Sequence, residues 1–170
     1  MDKASVIAEF ERMEVLSIII PYGLIFVHND NRVVLETMAI GDRVTSIRLA
    51  THQGQVEYDI DPVIEEFKKN NLNNLDMINS NAMLTLIYLH DLLKNNDLLQ
   101  KTPEFEFFRH LRNAIGHGNR FTFKGNEPVL PARFENLVID HAMNGFEKAV
   151  GNYVQAGDIL NLLNFIKNQL

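Results

Sequence analysis

The sequence contains no cysteine, no basic N-terminal region and no long hydrophobic run. Without cysteine the chain has no disulfide scaffold and no thiolate metal site, which is typical of an intracellular protein. The N-terminus, Met1-Asp2-Lys3-Ala4-Ser5, has no basic region before an apolar core, so we expect no signal peptide. The apolar stretch Val15 to Val27 has only 13 residues and includes a proline and a glycine, too short to span a bilayer. These absences predict a cytoplasmic protein that does not contact a membrane.

Positive charge is scarce overall but concentrated in one segment. The net charge of −6 argues against a protein that coats nucleic acid non-specifically, because that mode depends on many phosphate contacts. From Phe107 to Lys124, however, there is no acidic residue, and four of the sixteen Lys and Arg residues fall inside these 18 positions. The segment is either a local phosphate site or simply a solvated basic helix end, where cations suit the helix dipole.

The pattern of apolar residues predicts an all-α fold. A chain of 170 residues is one domain by the usual prior, so we expect a single domain over residues 1–170. Five or six helices with short connections predict a compact bundle, with a short β-hairpin after residue 120. The first predicted helix begins at the N-terminus and stops or kinks at Pro21, and the second covers Val33 to Leu49. Three further helices start at Asp61-Pro62, at Met83 and at Thr102-Pro103. The last two cover Asp140 to Val154 and Ile159 to Leu170.

The helix that begins at Thr102-Pro103 carries the candidate site. On a helical projection its apolar residues cover one side, while His110, Asn113 and His117 lie within about 60° of each other, with Arg109 beside them. Arg112 lies about 140° from His117 on a straight helix, so these two side chains cannot meet on a regular helix. Either the last turn unwinds at Gly116 and Gly118, or a second copy of the chain completes the pair.

The segment Arg112-Asn113-Ala114-Ile115-Gly116-His117 resembles the R-x4-6-H signature of HEPN domains (higher eukaryotes and prokaryotes nucleotide-binding). Its context is similar to that of bacterial and plasmid-borne HEPN proteins: the motif follows an aromatic amphipathic helix and is followed by Gly118-Asn119-Arg120-Phe121. Many of these proteins are metal-independent endoribonucleases that act as homodimers, with two motifs lining one cleft. The resemblance therefore implies a ribonuclease without cofactor or metal, acting as a toxin or defence effector.

The resemblance also implies a role for each motif residue. His117 would take the proton from a ribose 2′-hydroxyl, and Arg112 would stabilise charge on the phosphate. Asn113 would orient either the phosphate or the histidine. The neighbouring polar residues Arg109, His110, Asn119 and Arg120 are candidates for RNA binding. An antitoxin or regulatory protein is a further expected partner. Some HEPN toxins carry a tyrosine two residues after the motif histidine that a partner enzyme modifies; here that position is Asn119.

Structural alternatives exist for the same residues. Asn113 and His117 can simply cap the helix, and Arg112 can pair with an acid such as Glu106 or with a backbone carbonyl. A non-catalytic HEPN module that dimerises and binds RNA, a nucleotide or a protein partner is the alternative function. A metal site is not expected, since His110 and His117 are about 10 Å apart along a helix and no other histidine has ligand spacing. If the protein dimerises, we expect Phe105, Phe108 or their neighbours beside the symmetry axis.

Overall fold

The structure is a computed structural model that describes residues 1–28, 46–51, 54–59, 62 and 74–170. The chain forms two compact units, one made of Met1–Ile18 and Ile78–Leu170, the other of Ile19–Met77. The expected single domain over residues 1–170 stays a prediction. The first unit contains the whole HEPN-like motif.

The fold is mainly helical, as the sequence predicted, with two small β-hairpins. The described residues contain four α-helices rather than five or six. The elements in chain order are α1 (Lys3–His28), β1 (Ser46–Thr51), β2 (Gly54–Asp59), α2 (Asn74–Asn95), α3 (Pro103–Gly116), β3 (Ala132–Phe134), β4 (Leu137–Ile139), a 3₁₀ turn (His141–Met143) and α4 (Ala156–Gln169). None of the described helices is both long enough and apolar enough to cross a bilayer.

The core of the first unit is built around α3. Phe107 and Phe108 of this helix are fully buried, and Phe107 packs on Phe134 of β3 with ring centroids 6.2 Å apart. Every helix of this unit adds buried side chains to the same cluster. They are Val6 and Phe10 from α1, Leu86, Leu89 and Leu93 from α2, and Ile159, Leu162, Leu163 and Ile166 from α4. Burying these aliphatic and aromatic groups supplies the main stabilisation of the unit.

Two segments that the sequence predicts as helices have a different structure in the described residues. The segment Ser46–Thr51, predicted as the end of a helix, is strand β1 and pairs antiparallel with β2, from Ser46 opposite Asp59 to Thr51 opposite Gly54. The pattern Ile47-Arg48-Leu49 alternates apolar and polar residues, and cross-strand pairing favours this period of two over a helical period. The rest of this predicted helix, and the helix expected at Asp61-Pro62, lie largely outside the described residues.

The predicted helix Asp140 to Val154 is also absent. The Asp140 carboxylate accepts a hydrogen bond from the Ala142 backbone N–H at 2.9 Å, but the turn it caps contains only three residues. Gly145, Lys148 and Gly151 then have positive φ values of 87°, 55° and 107°. Three such residues within seven positions are incompatible with a right-handed helix.

Other predictions agree in part with the structure. Helix α1 does not stop at Pro21 but runs to His28. The hairpin after the motif exists, but β4 pairs with Ala132–Phe134 rather than with the segment after Arg120. Met83 to Leu93 is apolar nearly all round, which predicts burial on most sides of α2, yet Leu84 and Tyr88 are exposed.

Candidate functional site

Helix α3 begins as its sequence predicts. Thr102 is the N-cap, its side-chain oxygen accepts a hydrogen bond from the Phe105 N–H at 3.5 Å, and Pro103 occupies the first turn, where its missing N–H is not needed. Glu104 and Glu106 follow in the first turn, where negative charge suits the helix dipole. The start of the helix is thus fixed locally, which sets the orientation of the motif residues at its other end.

The helix ends inside the HEPN-like motif. Gly116 is its last residue and His117 its C-cap, with the His117 N–H donating to the carbonyl groups of Asn113 and Ala114. Gly118 and Asn119 then adopt positive φ values of 75° and 62°, so the chain turns sharply away from the helix axis. The helix therefore ends at the first of its two glycines, and which of the two arrangements considered from the sequence brings Arg112 and His117 together stays a prediction.

Arg112 is held by an acid from another helix. Its Nε donates to Oδ1 of Asp91 at 3.2 Å, and its Nη2 donates to Oδ2 at 3.0 Å. The pair joins α3 to α2, and the side chains of Arg112 and Asp91 are 33% and 40% exposed. The predicted partner Glu106 is wrong, because that carboxylate faces Arg109 one turn earlier. The Arg112 guanidinium holds the pKa of Asp91 below its usual value, so the carboxylate stays charged.

Within the part of the chain that the structure describes, one edge of the Arg112 guanidinium has no partner. The group has five N–H donors, of which Asp91 uses one on Nε and one on Nη2. The remaining atom, Nη1, would be 3.7 Å from a Cβ placed on Gly116, so it lies beside the last residue of the helix. His117 is the next residue and is exposed. The C-terminal end of α3 therefore brings the Arg112 guanidinium beside the backbone that carries His117.

The side chains of Asn113 and His117 are not used by the fold in the part of the chain that the structure describes. Asn113 is half-buried and His117 is exposed, and neither side chain forms a hydrogen bond with a described residue. The capping alternative is confirmed for His117, which is the C-cap of the helix through its backbone N–H. Because neither side chain takes part in this cap, both are free of the described residues and can meet a ligand.

Arg109 and His110 have structural partners instead. Arg109 donates to Oε2 of Glu106 through Nε at 3.0 Å and Nη2 at 2.7 Å, and its Nη2 also lies 2.9 Å from Nε2 of His110. His110 is only 2% exposed and packs edge-on against Phe123. The predicted polar face with His110 at the surface is therefore wrong. Burial, assisted by the positive charge of Arg109, lowers the pKa of His110, which favours its neutral form.

Asn119 and Arg120 attach the end of the motif to the segment 145–150. The Asn119 side-chain amide donates to the Val150 carbonyl at 2.9 Å, and its oxygen accepts the Val150 N–H at 2.8 Å. Arg120 forms a β-bridge with Glu147, and their charged groups are 3.6 Å apart in an exposed position. Of the four predicted RNA-binding residues, Arg120 is the one at the open surface.

Asp91 is the site residue that sequence reasoning missed. It lies within the largely apolar run Ile87 to Leu93 of α2, where it is the one acidic residue and follows His90 directly. His90 is 5% exposed, and its Nδ1 lies 3.3 Å from Oδ1 of Asp91. A carboxylate inside an apolar run needs a partner, because an unpaired charge is costly to bury even partly. That requirement is the signal from which a pairing with the motif arginine could have been suspected.

Comparison with known proteins finds no match: no family model fits the chain, and no curated protein or solved structure is significantly similar to it. Within the described ranges, no three His, Asp or Glu side chains are grouped in a way that would hold a metal ion. The functional argument therefore depends on the geometry of the motif and on its resemblance to HEPN domains.

Proposed function

We propose that the protein is a metal-independent endoribonuclease of the HEPN type that works in the cytoplasm as a toxin or defence effector. The observation that carries the proposal is the end of α3. There the Arg112 guanidinium, fixed on one edge and free on the other, lies beside Gly116, and the exposed His117 follows directly. A cation and a proton acceptor at one exposed helix end are the two groups that phosphodiester cleavage by a ribose hydroxyl requires.

The proposed reaction uses a nucleophile that belongs to the substrate. His117 takes the proton from a ribose 2′-hydroxyl, the 2′-oxygen attacks the adjacent phosphorus, and the bond from phosphorus to the 5′-oxygen breaks. The leaving 5′-oxygen takes up a proton. The free edge of Arg112 donates hydrogen bonds to the non-bridging phosphate oxygens, whose charge is greatest in the transition state. Asn113, on the same helix with a free amide, orients the phosphate or the histidine.

The decisive experiment is analysis of cleavage products. We expect the purified protein to cleave RNA in the presence of EDTA and to leave a 2′,3′-cyclic phosphate on one fragment and a free 5′-hydroxyl on the other. RNA with a 2′-deoxy residue at the cut should resist, because its nucleophile is missing. Mass spectrometry of the fragments distinguishes this chemistry from hydrolysis by water. Fragments with 5′-phosphate ends, or activity that EDTA abolishes, would contradict the mechanism.

Matched variants assign the activity to the motif. We expect His117→Ala and Arg112→Ala each to lower the cleavage rate by about 10²-fold or more. The controls are His141→Ala and Arg133→Ala, which remove an exposed histidine and an exposed arginine outside the motif. Equal losses in motif and control variants would point to general charge effects or to a contaminating nuclease.

A homodimer is part of the proposal, because the HEPN enzymes that the motif resembles place two copies around one cleft. Phe105 and Phe108 are themselves only 2% and 0% exposed in the core of one chain, so the expected contact beside the symmetry axis would fall to their neighbours. We expect sedimentation velocity at micromolar concentration to give the mass of two chains. A monomer at that concentration would contradict the composite cleft but not the assignment of Arg112 and His117.

The alternative is a non-catalytic HEPN module that binds RNA, a nucleotide or a protein partner. What favours it is that Arg109, His110 and Asn119 are used by the fold and that Asp91 neutralises part of the charge of Arg112. Such a module would retain RNA without producing cyclic phosphate ends. An antitoxin or regulatory protein, if one exists, should then bind without altering any cleavage rate.

A further inference from the structure

Asp91 is the one acid that contacts the motif arginine among the described residues, and its carboxylate is itself fixed. Three N–H donors converge on it: Nε and Nη2 of Arg112, and Nδ1 of His90. His90 is buried and packs edge-on against Phe108 of the core, with ring centroids 5.1 Å apart. The carboxylate is therefore tied to the core of the unit through His90.

The bidentate geometry determines where the free part of Arg112 points. A guanidinium is planar and rigid, so fixing Nε and Nη2 fixes the position of Nη1 as well. That atom lies beside Gly116 at the end of α3. A side chain at this position would come within ordinary contact distance of Nη1, whereas glycine leaves the approach open. The free N–H groups thus face the helix end that carries His117.

We propose that Asp91 is a positioning residue that holds Arg112 so that the free edge of its guanidinium binds the phosphodiester group of an RNA substrate. The inference rests on the proposed function, since it assigns a role for that same reaction. It concerns orientation rather than charge. On charge alone, a carboxylate beside the arginine would weaken the binding of an anion, so removing it should help. If Asp91 acts by positioning Arg112, removing its charge should instead lower the activity. The direction of the change in activity therefore distinguishes the two effects.

The test compares Asp91→Asn with Asp97→Asn. Both changes remove one negative charge from the same end of α2 or its adjoining turn. Asp97 is exposed at a positive φ of 55°, a conformation that asparagine tolerates well. We expect Asp91→Asn to lower kcat by about 10- to 100-fold, the range seen when the outer partner of a functional ligand is removed, with a smaller change in KM. Asp97→Asn should leave both constants near the parent values.

Two further variants separate positioning from a purely structural role. In an Arg112→Ala background, Asp91→Asn should have no further effect on kcat, because the residue acts only through the arginine. Asp91→Glu retains the charged acceptor and should recover part of the rate lost in Asp91→Asn. If Asp91→Asn is as active as the parent, or more active, the inference is overturned while the proposed function stands. An additive loss in the Arg112→Ala background would also overturn it.

A measurement without catalysis covers the case in which the proposed function fails. A fluorescent RNA strand with 2′-O-methyl residues throughout, which lack the nucleophilic hydroxyl, serves as an uncleavable probe, and its binding is followed by anisotropy. We expect Asp91→Asn to bind this strand more weakly than Asp97→Asn, and the difference to vanish in the Arg112→Ala background. If the parent cleaves no RNA but the variants bind the strand with these relative affinities, the cleavage function is contradicted and the positioning role is supported. Equal or tighter binding by Asp91→Asn overturns the positioning role whatever the cleavage result.

Discussion

Asn119 has a side chain that is occupied by the protein's own backbone. The nitrogen and the oxygen of its side-chain amide both form hydrogen bonds with the Val150 backbone, and its φ of 62° lies in the left-handed region. We expect Asn119→Ala to lower the free energy of unfolding by about 1–3 kcal/mol, because two partners in a partly buried position are left unpaired. Asn119→Gly keeps the backbone conformation and isolates the lost hydrogen bonds. Urea denaturation of both variants, with exposed Asn152→Ala as the control, measures the effect.

The result also decides between two roles for this residue. From its place after the motif, Asn119 was predicted to bind RNA, and the sequence alone contains no sign of Val150 as a partner 31 positions away. Arg109 is a different case, because its partner Glu106 lies only one turn away and was instead considered as one possible partner of Arg112. If Asn119→Ala keeps the stability of the parent but binds RNA less tightly, the structural role is the wrong one.

At the scale of elements, the sequence predicts best where the signal is local. The start of α3 follows from Thr102 and Pro103. Helix α4 was predicted from Ile159 and begins at Ala156, where the Asp158 side chain accepts the Gln155 N–H at 2.8 Å. The end of α3 follows from its glycines. In each case the interacting groups lie within four residues of one another, so their pattern is visible in the chain itself.

Elements that depend on distant partners were predicted less well. Ser46–Thr51 is a strand because it pairs with β2, and apolar spacing over six residues cannot distinguish a strand from the end of a helix. Asp140 is a capping residue in the structure, as predicted, but the turn it caps ends after Met143. The segment that follows is instead fixed by hydrogen bonds to residues 119–121. Pairing between segments more than twenty positions apart was the missing information for the segment after Met143 and for the site, whereas the strand β1 depends on a partner only 3 to 13 positions away.

At the scale of the whole molecule, stability should fall with acid in two stages. Burial is the main cause that lowers the pKa values of His90 and His110, so the unfolded chain binds protons more readily than the folded chain near pH 6.5. Their contribution to stability is complete above that pH and is lost as the pH decreases. The lowered pKa values of Asp91 and Glu127 add a second loss below about pH 4.5, since these carboxylates are ionised in the folded state.

Denaturant titrations from pH 8 to pH 5 measure the first stage. Each buried histidine can contribute at most about 1.4 kcal/mol per pH unit to the slope. His110→Gln should reduce that slope, even if it lowers stability overall. A free energy of unfolding that rises as the pH falls from 7.5 to 5.5 would contradict the assignment of neutral, buried histidines.

The hydrogen bonds that attach the end of the motif to the segment 145–150 close a loop. The N–H of Phe121 donates to the Phe146 carbonyl, and the N–H of Gly145 donates to the Phe121 carbonyl, so the chain leaves and returns at the same point. Residues 122–144 between them include exposed turns at Gly125-Asn126 and Glu135-Asn136. Lengthening a closed loop by a few residues costs little entropy. During evolution, insertions at these turns would therefore accumulate without displacing the helix end that carries His117, and related chains of unequal length could share one site.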